Sequence, residues 1–143
     1  MENLKRILLV EDDYRDVELT LAALEEINLA NKIDVVNDGE EALDYLFKRG
    51  KYKSRESGNP VVVMLDLKMP KIGGLEVLKQ LKESKELRII PVVILTSSKM
   101  ECDLTTSYNL GVNAYVVKPV EFENFVKVVK ELGSFWATLN ESI

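Results

Sequence analysis

The sequence predicts an α/β domain built on a doubly wound parallel sheet with right-handed crossovers. Five short apolar, β-branched runs alternate with segments of helical periodicity. Four of the runs are nearly continuous rather than alternating, the pattern of strands covered on both faces. Acidic, hydroxyl and lysine residues directly follow the runs, at the sheet edge where open α/β folds bind ligands.

The expected strands are Ile7–Val10, Ile33–Val36, Val61–Leu65, Val92–Leu95 and Ala114–Val117. The second is the weakest and suits a sheet edge. The first expected helix runs from about Asp13 to Asn28, with Val17, Leu21, Leu24 and Ile27 near one face. Asp13, followed by Asp16, reads as its N-cap. The second helix follows the turn Asn37-Asp38-Gly39 and carries Ala42, Leu43, Leu46 and Phe47. Gly50 to Pro60 reads as a long polar loop, expected to be mobile and without chemistry. The third helix follows Gly73-Gly74, a loop-to-helix junction rather than a phosphate cradle, with Leu75, Leu78 and Leu81 at helical spacing. The fourth, Lys99 to Leu110, is the least periodic and is closed by Gly111. The fifth runs from Glu121 towards Leu139.

The 143 residues suit one domain spanning 1–143, with 133–143 extending the last helix. A net charge of −5 speaks against nucleic acid as a partner. No apolar run reaches the roughly 18 residues of a spanning helix, and the N-terminus lacks a signal-peptide core, so a cytoplasmic protein away from membranes is expected. The single cysteine excludes an intramolecular disulfide, and the absence of histidine excludes Ser-His-Asp and Cys-His chemistry and imidazole metal sites.

Carboxylates, hydroxyls, lysines and bound metal remain. Glu11, Asp12 and Asp13 follow the first run, Asp66 the third, Thr96 the fourth and Lys118 the fifth. So many carboxylates at one edge repel unless a cation joins them, and an all-oxygen donor set suits Mg²⁺. Beside a lysine and a threonine, such a cluster reads as a phosphoryl site. Asp66 would be the nucleophile, Glu11 and Asp12 would hold the metal, and Thr96 and Lys118 would stabilise the phosphoryl oxygens. Taken alone, Asp13 is a cap or a support behind the site, and Tyr115 is equally a plain core residue.

Val10-Glu11-Asp12, Leu65-Asp66-Leu67-Lys68-Met69-Pro70, Leu95-Thr96-Ser97 and Tyr115-Val116-Val117-Lys118-Pro119 resemble the four signature segments of response-regulator receivers in two-component systems. The resemblance covers about Lys5 to Leu132. It implies a flavodoxin-like (βα)5 fold with strand order 2-1-3-4-5. It also implies a stand-alone regulator that accepts a phosphoryl group on Asp66 from a sensor histidine kinase, catalysing its own Mg²⁺-dependent phosphorylation and dephosphorylation. By the same resemblance Asp12 ligates the metal with help from Glu11, and the Lys68 main-chain carbonyl is a further ligand. Thr96 and Tyr115 form the switch pair, and Lys118 contacts the phosphoryl group. Leu95-Thr96-Ser97-Ser98, the long loop before the third strand and Ser134-Phe135-Trp136 are similar to single-domain regulators of bacterial, cyanobacterial-type phytochrome kinases.

Three rivals stand beside this reading. A haloacid-dehalogenase-type phosphatase needs an Asp-x-Asp pair after its first strand, which Glu11-Asp12-Asp13 does not supply. A pseudo-receiver would bind partners without taking phosphate, although every expected residue type is present. A flavodoxin-like cofactor binder rests on fold alone.

On the fifth helix, Phe122, Phe125, Val126, Val129, Leu132 and Trp136 form one stripe, which Val128, Phe135 and Leu139 widen to roughly 180°. The expectation is that Val128, Phe135, Trp136 and Leu139 meet a second copy of the chain. The alternative is that the tail folds back over them. With four residues after Leu139, output is expected through protein contact, or through passing the phosphoryl group to another protein, rather than through a further domain.

Overall fold

The computed structural model describes residues 6–25, 33–55, 58–67, 69, 71–96, 109, 111–112, 114–117, 123 and 127. Its elements are β1 (Ile7–Val10), α1 (Tyr14–Glu25), β2 (Ile33–Val36), α2 (Gly39–Phe47), a 3₁₀ turn (Gly50–Tyr52), β3 (Val62–Asp66), α3 (Gly74–Glu83), β4 (Val92–Thr96) and β5 (Ala114–Val117). All strands are parallel, in the order β2-β1-β3-β4-β5. This is the flavodoxin-like arrangement expected from the sequence, with β2 at an edge.

Alternation along each strand divides the core between the two faces. Leu8, Val10, Val63, Leu65, Val92 and Ile94 pack with Leu43 and Leu46 of α2 and with Val77, Leu78 and Leu81 of α3. Ile7, Leu9, Val62, Met64, Val93 and Leu95 point the other way, towards Val17, Ala23 and Leu24 of α1. All four residues of β1 are buried, because β1 has neighbours on both edges and helices on both faces.

Three details differ from the sequence reading. β3 begins and ends one residue later than expected, and β4 gains a residue at its end. The pairs Asp66↔Leu95 and Thr96↔Val117 continue the ladder to these positions. The third correction concerns the segment Gly50 to Pro60, which is anchored among its described residues. Its 3₁₀ turn closes with Lys53 N–H donating to Gly50 O at 3.1 Å. The Arg55 guanidinium donates to Tyr45 O at 2.8 and 3.1 Å and to Gly58 O at 2.9 Å, while lying 4.2 Å from the Tyr45 ring centroid. Tyr52 meets Tyr45 edge-on, with centroids 5.1 Å apart. Composition concealed this because charged and aromatic side chains, rather than an apolar run, hold the segment down.

Gly111 has φ 82, the left-handed conformation of a helix-terminating glycine. The expected fourth helix, 99–110, and the tail 133–143 lie outside the described residues, apart from Asn109, which is helical. Val128, Phe135, Trp136 and Leu139 lie outside them too. Glu123 and Lys127 are helical and exposed, in keeping with a polar face on the last helix. Among the described residues no helix is long and apolar enough to cross a membrane.

Candidate functional site

The parallel sheet brings the ends of β1 and β3 together, because Val10 and Leu65 are register partners. One residue further on stand Glu11 and Asp66. Carboxylate oxygens of Glu11, Asp12 and Asp66 all lie within 4.8 Å of one another. Glu11 is fully buried, Asp66 is 4% exposed, and Asp12 faces solvent on the open side. Buried carboxylates at this separation repel one another, and a hard divalent cation with oxygen ligands relieves that repulsion. The donor set therefore fits the cation that the sequence implied.

Local structure holds these groups in place. The Glu11 N–H donates to Val36 O at 3.0 Å, carrying the β1–β2 ladder one residue past β1. The Glu11 carboxylate accepts the Asp13 N–H at 3.2 Å, folding the β1–α1 connection around it. The Asp13 carboxylate accepts the Arg15 N–H at 2.8 Å and the Asp16 N–H at 3.4 Å. Asp13 is thus the α1 cap that the sequence suggested, and it stands outside the three-carboxylate cluster. On the β2 side, the Asn37 side-chain amide donates to the Glu11 main-chain carbonyl at 3.5 Å.

The β3–α3 connection is pinned by a glycine. A Cβ on Gly74 would stand 2.2 Å from Asp66 O and 2.7 Å from Leu67 Cα, both backbone atoms. The Gly74 N–H donates to Leu67 O at 3.0 Å. Only a residue without a side chain lets α3 start this close to the Asp66 peptide. The Gly73-Gly74 pair is therefore a junction, as expected, and Gly74 is also a positioning residue for Asp66.

Gly39 plays a matching part at the start of α2, where an added Cβ would meet Ile72 O at 2.1 Å. Asp38 caps α2 by accepting the Glu41 N–H at 2.7 Å, and Glu41 returns to accept the Asn37 N–H at 2.9 Å. The spacing Asp38-x-x-Glu41 is the signal from which that reciprocal cap is legible. Glu41 also accepts the Tyr52 hydroxyl at 2.7 Å and the Lys51 ammonium at 2.8 Å. Burial pushes its carboxyl upward, but the Lys51, Tyr52 and Asn37 donors outweigh burial and leave it below the usual carboxylate value. Burial and the adjacent Glu41 push the Tyr52 hydroxyl well above its ordinary value, so it stays a donor.

Of the remaining expected site residues, Thr96 is the last residue of β4 and lies at the same sheet edge. Its side chain, and all of Lys68 and Lys118, lie outside the described residues. Tyr115 is 37% exposed on β5, which is more than a plain core residue shows.

The profile of the response regulator receiver domain matches residues 7–130. The chain is 41% identical over 139 residues to the probable methanogenesis regulatory protein FilR2 of Methanothrix harundinacea, covering 95% of this chain and 86% of that one. It is 38% identical over 132 residues to the response regulator Rcp1 of Synechocystis, covering 92% and 88%. Among solved structures, the bacteriophytochrome response regulator RtBRR aligns with TM-score 0.84 and 62% identity, over 91% of this chain and 78% of that one. The Mn²⁺-bound form of Rcp1 aligns with TM-score 0.77 and 38% identity, over 92% and 94%. The phosphorylated cyanobacterial phytochrome response regulator RcpA aligns with TM-score 0.78 and 37% identity, over 94% and 95%. With this profile, these relatives and the carboxylate-lined sheet edge in agreement, the chain belongs to the response regulator receiver family of two-component signalling.

Proposed function

We propose that this chain is a stand-alone response regulator whose Asp66 accepts a phosphoryl group from the phosphohistidine of a sensor kinase, in a Mg²⁺-dependent reaction. The observation that carries the reading is the convergence of Glu11, Asp12 and Asp66 oxygens within 4.8 Å at the ends of β1 and β3. An Asp66 oxygen attacks phosphorus as the donor P–N bond breaks, its electron pair returning to the imidazole nitrogen. The product is an acyl phosphate on Asp66. Bound Mg²⁺ would neutralise charge on the phosphoryl oxygens. Glu11 and Asp12 would hold it with Asp66, and the Lys68 main-chain carbonyl completes the proposed protein ligands. Gly74 keeps the Asp66 peptide in line, while Thr96 and Lys118 are assigned to the remaining phosphoryl oxygens. The same groups acting on water would return Asp66 to its free state.

Support comes from relatives described as phosphorylated and as Mn²⁺-bound. The chain has no histidine, so it cannot itself be the phosphohistidine donor. Several of the similar structures are phytochrome response regulators, which favours a phytochrome-type kinase as donor. The kinase would meet the chain in the cytoplasm. Tyr115 is partly exposed, an outward position from which it would turn inward when Thr96 is drawn towards the phosphoryl group, changing the surface around β5 that a partner reads.

Beryllofluoride tests the acceptor directly, since it mimics the bound phosphoryl group without turnover. Fluorine NMR should show a bound species with Mg²⁺ present, lost on Mg²⁺ removal and in Asp66→Asn. No bound species in the parent would mark a binding module that never takes phosphate.

A further inference from the structure

The segment between α2 and β3 touches the site through a continuous chain of contacts. Lys51 and Tyr52 of the 3₁₀ turn donate to Glu41 at 2.8 and 2.7 Å. Glu41 accepts the Asn37 main-chain N–H at 2.9 Å. The Asn37 side chain donates to the Glu11 carbonyl at 3.5 Å, and the Glu11 N–H donates to Val36 O at 3.0 Å. A second contact runs from the same helix start to the other half of the site. Gly39 lies against the Ile72 backbone, in the connection that leaves Asp66, and Lys71 Nζ lies 3.9 Å from Asp38 Oδ2. The N-terminus of α2 is thus wedged between the residue that bears one buried carboxylate and the chain that follows another.

We propose that Glu41, clamped by Tyr52 and Lys51, is a positioning residue for the metal site, so that the Gly50–Tyr52 turn tunes the affinity of that site for its divalent ion. The inference rests on the reading of Glu11, Asp12 and Asp66 as metal ligands.

Glu11 is fully buried and its carboxylate accepts the Asp13 N–H at 3.2 Å, so a shift of its backbone disturbs the direction of the carboxylate. That backbone is fixed on one side by β2 and Asn37, and Asn37 is fixed by Glu41. Without its clamp, Glu41 regains rotamer freedom and releases Asn37, and Glu11 samples orientations that no longer converge with Asp12 and Asp66. Groups that hold a metal ligand in place are typically worth about 10- to 100-fold in affinity. Glu41 acts one contact further away, so about tenfold is expected for its removal. Loss of the Tyr52 hydroxyl alone leaves Lys51 in place, and about threefold is expected. A purely structural role would lower the thermal midpoint of the metal-free protein and leave metal affinity untouched.

The test is calorimetric titration with Mg²⁺ of the full chain and of Tyr52→Phe, Glu41→Ala and Asp12→Asn, with metal-free thermal midpoints measured alongside. Tyr52→Phe keeps the ring against Tyr45 and secures a folded variant. The expected result is weaker Mg²⁺ binding in both Tyr52→Phe and Glu41→Ala, with no binding in Asp12→Asn. Parent-like Mg²⁺ affinity in Tyr52→Phe and Glu41→Ala, with binding lost in Asp12→Asn, would overturn the positioning role and leave the metal site standing. Parent-like affinity in Asp12→Asn would overturn the metal-site reading and this inference with it.

Discussion

At the scale of single residues, two side chains and one missing side chain define the account. Asp66, the proposed nucleophile, ends the central strand of the sheet, where its neighbours are Glu11 from β1 and the Thr96 end of β4. Gly74 matters for what it lacks. Gly74→Ala forces a Cβ to within 2.2 Å of Asp66 O, which only a backbone shift relieves. The expected cost is about 1–3 kcal/mol, the range for overpacking. It should appear as a lowered urea midpoint together with slower phosphorylation of Asp66. A variant of parent stability and parent rate would show that the close approach is dispensable.

Glu41 gives a prediction with a sign. Its carboxyl lies below its ordinary value of 4.5 in the folded chain, held there by Lys51, Tyr52 and Asn37 against the opposing effect of burial. A group depressed on folding adds stability that is fully present above its unfolded value and is lost as pH falls through the folded one. Glu41→Gln should therefore be less stable than the parent at neutral pH, by at most about 1 kcal/mol because the Lys51 pair faces solvent. The gap between their thermal midpoints should close as pH drops below 4.5. A gap that does not change with pH would mean that the charge on Glu41 contributes nothing.

At the scale of elements, the sequence was most informative where periodicity and burial coincide. The apolar runs of β1, β3 and β4 were plain because strands covered on both faces need nearly every residue apolar. Their last residues were less plain. Asp66 and Thr96 are polar, and only the ladder to the neighbouring strand assigns them to strands. The Asp13 cap was readable from local chemistry alone. The anchoring of the segment after α2 was not, because it depends on Tyr45, Tyr52 and Arg55 meeting from positions up to ten residues apart. The demand for glycine at positions 39 and 74 was equally hidden. A close approach between backbones leaves no mark on composition beyond the glycine itself.

At the scale of the whole molecule, a parallel sheet in the order β2-β1-β3-β4-β5 gathers residues from distant parts of the chain at one edge. Glu11 and Asp66 are adjacent there although 55 positions separate them in the sequence. The cluster was legible beforehand because each member directly follows an apolar run, and the topology then leaves little freedom about where it goes. The apolar stripe that the sequence predicts on a fifth helix belongs to this scale too. We propose that Phe135, with Val128, Trp136 and Leu139, joins two copies of the chain. Sedimentation should then show a dimeric parent and a monomeric Phe135→Asp. A parent that stays monomeric at high concentration would remove the dimer from the account.

Phosphoryl acceptance by Asp66 is read from the intact mass of the protein after incubation with acetyl phosphate. One added phosphoryl group is expected with Mg²⁺, none without it, and none in Asp66→Asn. An adduct of equal yield in Asp66→Asn, or one formed equally well without Mg²⁺, would contradict it.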